Sequence, residues 1–395
     1  MSITWRDAMS RALYGPGGFF VSGSGPADHF RTSVHASPAF ATALLRVLTQ
    51  VDATLGHPPR LDVVDVGAGR GELLLALAPL AVGVSGEPAH SGRSGLIPSW
   101  SGSPETLTPT AAARRSSDEP SLVAARPTLA ERVHLTAVEY APRPENLPEE
   151  INWVSEIPRG ITGLLIATEW LDNVPLDVAV HTEDGWRYVL VDPASGTESI
   201  GGPVSPDDLD WLNRWEPIPT NAPAAARGLT SPDVTRETPH RCRRAEIGRT
   251  RDEAWAHAIR QVSRGMAVAV DYGHLRDNRP VDGTLTGYRG GRQVPPVPDG
   301  SADVTAHVAM DSVASAGAEV AGCAYSLVSQ REALRALGAD GGRPPLSLAG
   351  SDPAGYLRAL AAASAVAELT DPAGLGGHLW LRQPVGIPLG PAVAR

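Results

Sequence analysis

Leu61-Asp62-Val63-Val64-Asp65-Val66-Gly67-Ala68-Gly69-Arg70-Gly71 is the stretch whose reading decides the fold. Its first six residues are an apolar, β-branched run of the kind that forms a parallel strand buried on both faces. Three alternating glycines follow, and then Glu72-Leu73-Leu74-Leu75-Ala76-Leu77 reads as the start of a helix. Strand, glycine loop and helix in that order open a nucleotide-binding βαβ unit. Glycines there let the backbone approach a ligand that a Cβ would exclude, and the helix start presents free N–H groups. The flanking elements favour this over a glycine-rich turn without a ligand.

The spacing then selects the ligand. A dinucleotide fingerprint has a third glycine that lets helix and strand pack, and here Glu72 occupies that place. Its carboxylate would also repel a pyrophosphate. Asp65, two residues before Gly67, can meet an ammonium group. Asp65, Gly67, Gly69 and Gly71 therefore suit S-adenosylmethionine better than a nicotinamide cofactor. Glu139 ends the next strand candidate, Val133 to Glu139, where a carboxylate can accept hydrogen bonds from both ribose hydroxyls. Its plainer reading is an exposed strand-end acid.

Working outward, residues 37 to 55 form an amphipathic helix, with Ser37 as N-cap, Pro38 in the first turn and Phe40, Leu44, Val47, Leu48, Val51 and Leu55 at helical spacing. Residues 85 to 128 are rich in Ser, Gly, Pro, Ala and Arg without apolar period, and read as a disordered insertion. Further strand candidates are Leu164 to Ala167, Met266 to Asp271 and His378 to Leu381. The expected fold is α/β, a doubly wound, mostly parallel, Rossmann-like sheet. An N-terminal helical and loop segment (1–56) closes over the cofactor site. The first part of the core spans 57–191, an insertion or cap 192–250, and the rest of the core 251–395.

The 395 residues carry a net charge of −10, with 20% charged and 42% hydrophobic side chains, a globular composition that argues against nonspecific nucleic-acid or anionic-membrane binding. Cys242 and Cys323 make no disulfide framework, and no His/Cys cluster points to a metal. The start shows no secretory signal, and the apolar run Leu73 to Val84 is too short for a membrane span. A cytoplasmic protein without membrane insertion is expected. Oligomeric state has no signature.

With these residues in hand, the chain resembles the MidA-like family of class I S-adenosylmethionine-dependent methyltransferases, which includes a mitochondrial complex I assembly arginine methyltransferase. Ala12-Leu13-Tyr14-Gly15-Pro16, Phe30-Arg31-Thr32-Ser33 with Ser37-Pro38-Ala39-Phe40, and the loop Asp65 to Gly71 are similar to family segments in the same order. So are Ala167-Thr168-Glu169-Trp170-Leu171-Asp172-Asn173-Val174-Pro175, Asp271-Tyr272-Gly273, Gly283 to Arg289 and Ala302-Asp303-Val304-Thr305-Ala306-His307-Val308. Two departures stand out: Val34-His35-Ala36 replaces a family P-E-I triplet, and Thr168 replaces an Asn.

The resemblance implies transfer of a methyl group to a protein side chain, an arginine of a respiratory-complex subunit among the options. A small-molecule methyltransferase and a cofactor-binding assembly protein are the alternatives. Glu169 and Asp172, following the fourth strand at the carboxyl edge of the sheet, are the expected catalytic residues, because carboxylates can orient a guanidinium fork. Against these stand a solvated loop acid for Glu169 and a helix N-cap for Asp172. Tyr272 can shape the pocket or simply pack, and His307 reads as a hydrogen-bonded structural histidine. Trp211, Trp215 and Trp255 read as packing.

Overall fold

The expected first strand is an interior strand of the main sheet of the protein, whose computed structural model describes residues 1–21, 32–83, 127–216, 243–339 and 341–389. In chain order the sheet's strands are β1 (Leu61–Val66), β2 (Val133–Val138), β3 (Ile151–Val154), β4 (Ile161–Thr168), β5 (Val262–Asp271), β6 (Ser326–Ser329) and β7 (Leu379–Val385). Across the sheet they run β6-β7-β5-β4-β1-β2-β3. From β5 through β3 every neighbour is parallel, and β7 runs antiparallel to both β5 and β6.

Alternation explains why these strands are apolar throughout. Val63, Leu164, Ile166 and Val268 point into one core, while Val64, Val66, Leu165 and Ala267 point into another. α1 (Trp5–Tyr14) packs elsewhere, in a core with Val178, Val189 and Val191, and the helices α2 (Pro38–Thr54), α3 (Glu72–Gly83), α4 (Arg249–Gln261) and α5 (Met310–Ala321) supply most of the covering. α2 and α3 fill the first core through Phe40, Leu44, Leu48, Leu73 and Leu74, and α4 and α5 fill the second through Trp255, Ile259, Met310 and Val313. Each such side chain, fully buried, contributes about 1.5–3 kcal/mol. α2 starts where its sequence directs: the Ser37 hydroxyl accepts from the Ala39 N–H at 3.1 Å, with Pro38 in the first turn.

A second, antiparallel sheet pairs strands Asp177–Thr182, Gly185–Val191, Glu198–Pro203 and Arg244–Ile247, with Ile3–Thr4 at its edge. Among its described residues, the stretch from 192 to 250 thus contributes two strands and the helix Pro206–Trp215. Trp211 and Trp255 are 6% and 0% exposed and pack as their sequence suggests. Residues 84–126 and 217–242 lie outside the described residues, and with them nearly all of the expected insertion at 85–128. No helix among the described residues is long and apolar enough to cross a membrane.

Candidate active site

The carboxyl ends of β1, β2, β4 and β5 converge on one cavity of about 1100 Å³. The glycine loop and Glu139 line one end, and Glu169, Asp172, Tyr272, Asp303 and His307 line the other. Tyr14, Phe20, Thr32 and Val34 of the N-terminal segment also face it.

At the first end the backbone turns sharply, with φ of +71° at Gly67, +59° at Gly69 and +84° at Gly71. A Cβ on Gly67 would lie 2.8 Å from the Trp170 side chain, and one on Gly71 would lie 2.8 Å from Leu147. A Cβ on Gly69 would meet only the Glu72 carboxylate, at 3.3 Å. Two of the three glycines therefore serve packing, and Gly69 keeps the space over the loop open. Glu72 folds back so that Oε2 accepts from the Arg70 N–H at 2.9 Å, which places an acid beside the loop. The Glu139 carboxylate accepts from the N–H groups of Gly69 at 3.1 Å, Tyr140 at 2.7 Å and Ala141 at 3.4 Å. Burial nevertheless holds its pKa above the usual value. Asp65 is 2% exposed, and its Oδ1 has no hydrogen-bond partner. Burial, with Glu72 and Glu139 nearby, pushes its carboxyl well up. An orphaned buried acceptor beside an open glycine loop fits a ligand that brings an ammonium group to Asp65 and a diol to Glu139.

At the other end, Glu169 sits just past β4 with φ +49°, and its Oε1 accepts from the Ser33 N–H at 3.1 Å. It thereby ties the short helix Ser33–Ala36, which carries Val34, to the cavity wall. Asp172 is 2% exposed and caps no helix. Its Oδ2 accepts from the Tyr272 hydroxyl and, at 2.7 Å, from Thr305 Oγ1, while Oδ1 has no partner. The next acid, Asp271, accepts from the N–H groups of Leu171 at 3.0 Å and Asp172 at 3.3 Å, which fixes the turn after β4. Burial raises the carboxyl pKa of Asp172 and raises that of Asp271 further. Tyr272 both packs and lines the cavity; the rings of His307 and His378 lie 5.2 and 5.6 Å from its ring. Burial holds His378 down to about 4 and also lowers His307, so both are neutral at neutral pH.

The sequence analysis did not single out several residues that the structure brings here. Asp303, Thr305 and Tyr14 lie in segments quoted for the family resemblance, and that was their only signal. Arg251, 1% exposed, had none. Its guanidinium donates to the carbonyls of Asp172, Val174, Ala306 and His307, and so staples the turn after β4 to the segment carrying Asp303. Among the described residues no group of three or more His, Cys, Asp or Glu is placed to hold a metal ion.

With this geometry in view, comparisons give the family. Residues 115–328 match the model of a family described as S-adenosyl-L-methionine-dependent methyltransferase. The chain is 30% identical over 202 residues to the mitochondrial protein arginine methyltransferase NDUFAF7 of Danio rerio, covering 51% of this chain and 42% of that one. It is 27% identical over 188 residues to the same-named protein of Xenopus tropicalis, covering 47% and 39%. These matches span about two fifths of the curated relatives' length. In fold it resembles a COG1565 superfamily member from Burkholderia thailandensis bound to S-adenosyl-homocysteine, with TM-score 0.66 and 20% identity over 98% of this chain and 89% of that one. A native structure from the same superfamily and organism gives TM-score 0.64 at 20% identity, covering 98% and 88%. The chain belongs to the MidA-like family of S-adenosyl-L-methionine-dependent methyltransferases, with S-adenosylmethionine as its cofactor.

Proposed function

We propose that the protein transfers a methyl group to the guanidinium of an arginine side chain in a protein acceptor, a respiratory-complex subunit being the first candidate, on a doubly wound class I sheet. The observation that carries this reading is the acidity of the cavity. Asp65, Glu139, Glu156, Glu169, Asp172 and Asp303 line it, against Arg70 and Arg159. A cationic acceptor suits such a wall, and a neutral small molecule would leave buried carboxylates uncompensated. The relatives named as arginine methyltransferases support the same choice.

The cofactor, when bound, supplies the activated methyl group on a cationic sulfur. This chain's residues then have to hold and orient. Asp65 and the N–H groups of the glycine loop bind at one end, and Glu139 takes the ribose hydroxyls. Tyr14, Phe20 and Trp170 wall off water. Glu169 and Asp172 face the acceptor as hydrogen-bond acceptors, hold one guanidinium nitrogen toward the methyl, and as carboxylates take up the proton that this nitrogen loses on methylation.

The test is transfer of a labelled methyl group. The purified protein, incubated with methyl-labelled S-adenosylmethionine and cell extract, labels a protein, and acid hydrolysis recovers the label as methylarginine. Label in lysine, in a small molecule or nowhere refutes the reading.

A further inference from the structure

We propose that Asp303 is a third carboxylate of the acceptor site beside Glu169 and Asp172, and that with Asp172 it grips a planar cation from two walls of the cavity. This inference rests on the methyl-transfer reading above for the identity of the cation, a guanidinium, and names the residue that selects it.

The two acids come from separate parts of the fold. Asp172 lies in the turn Leu171–Asn173 after β4, and Asp303 begins the strand Asp303–Thr305 of a small three-stranded sheet with Thr286–Arg289 and Arg292–Val294. Reciprocal hydrogen bonds lace them together. Asn173 Nδ2, beside Asp172, donates to Asp303 Oδ1 at 2.7 Å, and Thr305 Oγ1, two residues from Asp303, donates to Asp172 Oδ2 at 2.7 Å. Each acid is thus fixed by a neighbour of the other, and Arg251 clamps the backbones of both segments. A rigid pair of this kind is what a binding site for a fixed fork of donors requires.

Among the described residues Asp172 Oδ1 is buried without a partner, and the hydrogen bond seen at the Asp303 carboxyl goes to its Oδ1. Both residues line the cavity although they are only 2% and 5% exposed. Among the described residues neither carboxylate has a hydrogen-bonded ion pair: Arg251, the buried cation whose charge acts on Asp172, gives its hydrogen bonds to carbonyl groups. Buried polar groups in native proteins are satisfied, so an orphaned Asp172 oxygen, with a second carboxyl on the wall of the same cavity, points to a ligand that donates to both acids.

The position relative to the cofactor end agrees. The Tyr14 hydroxyl donates to the Asn173 carbonyl at 3.2 Å, and the charges of Glu139, Asp172 and Asp303 all act on it, raising its pKa. The acid pair and Glu139 therefore both lie near this tyrosine. A guanidinium presents donors along several edges in one plane and can serve two carboxylates at once, whereas an ammonium is a compact, strongly hydrated point charge and a neutral urea lacks the charge. The pair thus discriminates arginine from lysine and from citrulline.

The test is binding, followed by turnover. With S-adenosylhomocysteine present, the wild-type protein binds N-acetylarginine methylamide at least tenfold more tightly than the lysine and citrulline analogues, as read by calorimetry or ligand-observed NMR. Asp303→Asn keeps an oxygen for Asn173 but removes the charge. It weakens the arginine probe by about ten- to a hundredfold, the scale of one charged hydrogen-bonded contact, and raises KM more than it lowers kcat. Citrulline-probe and S-adenosylhomocysteine affinities stay at wild-type levels, and Asp303→Glu recovers part of the arginine preference. Equal binding of the three probes by the wild type overturns the proposal whatever the variants do. So does an Asp303→Asn protein with wild-type arginine affinity, or one that loses cofactor and probe together. Arginine methylation by Asp303→Asn at the wild-type KM rejects the site and leaves the function standing. Selective probe binding without any methylarginine product rejects the function and leaves the cation site standing.

Discussion

Glu139→Gln isolates the charge at the ribose end of the cavity. Glu139 Oε2 accepts from Gly69, and Oε1 accepts from Tyr140 and Ala141. A glutamine can present its oxygen to only one of these sides. If it keeps the bonds to Tyr140 and Ala141, its NH₂ faces the Gly69 N–H, donor against donor, and a ribose hydroxyl loses its acceptor. Hydrogen bonds to charged groups contribute about 1.5–3 kcal/mol each, so S-adenosylhomocysteine should bind roughly 10- to 150-fold more weakly. Protonation works in the same direction. The Glu139 carboxyl in the folded protein titrates above its usual 4.5, and only the ionised form accepts on both oxygens. Wild-type affinity should therefore fall as pH is lowered through that raised pKa, while the Gln variant stays nearly flat over the same range. Isothermal titration from pH 7.5 downward, with thermal melts as a folding control, measures both effects. An affinity within threefold of wild type, or parallel pH profiles, would refute the placement of the ribose at Glu139.

Three more outcomes follow from the geometry. Asp252 accepts from Trp211 Nε1 at 2.8 Å and Ser312 Oγ at 2.5 Å, but burial pushes its carboxyl from 3.8 up to about 7. The folded state holds that proton where the unfolded chain releases it, so stability is lost as pH rises from about 4 to about 7, by at most about 4 kcal/mol. Asp252→Asn should flatten the decline in melting temperature between pH 5 and pH 8, and an unchanged decline counts against it. Gly71→Ala places a Cβ 2.8 Å from Leu147 at φ +84° and should destabilise by about 2–4 kcal/mol in denaturant titrations, whereas Gly69→Ala meets only a side-chain oxygen and should cost less. A reversed order would show that the loop is built differently. Glu169→Gln retains an oxygen for the Ser33 N–H and so keeps the N-terminal segment in place. Methyl transfer should drop about a hundredfold while S-adenosylhomocysteine affinity holds, and equal losses in both would make Glu169 part of the cofactor site.

The sequence made the parallel core readable because its signals are local. β1, the glycine loop, α2 with its Ser37 cap and the ends of β2, β4 and β5 all follow from short-range patterning. β3 and β6 escaped it. Ile151–Val154 and Ser326–Ser329 have four residues each, too few for a period to show, and both sit at sheet edges. The second sheet escaped for another reason: Glu198–Pro203 is mostly exposed and contains Gly201 and Gly202, so nothing apolar alternates. At the site, the positions of Asp65, the glycines and Glu139 were legible because strand ends and a loop fix them. Glu169 and Asp172 line the cavity, and their partners were not foreseeable. That Glu169 caps the helix at Ser33 and that Asp172 bonds Tyr272 and Thr305 depends on contacts between segments far apart in sequence. Arg251 is the extreme case. An arginine in the first turn of α4 reads as a solvated helix residue until the carbonyls around it are seen.

The most direct measurement for the central claim is a calorimetric titration of the purified protein with S-adenosylhomocysteine and, separately, with NADH. The cavity described here predicts saturable one-site binding of S-adenosylhomocysteine that Asp65→Ala abolishes without unfolding the protein, and negligible heat with NADH. Tight NADH binding with no response to S-adenosylhomocysteine, or an Asp65→Ala protein that binds it like the wild type, would contradict the account.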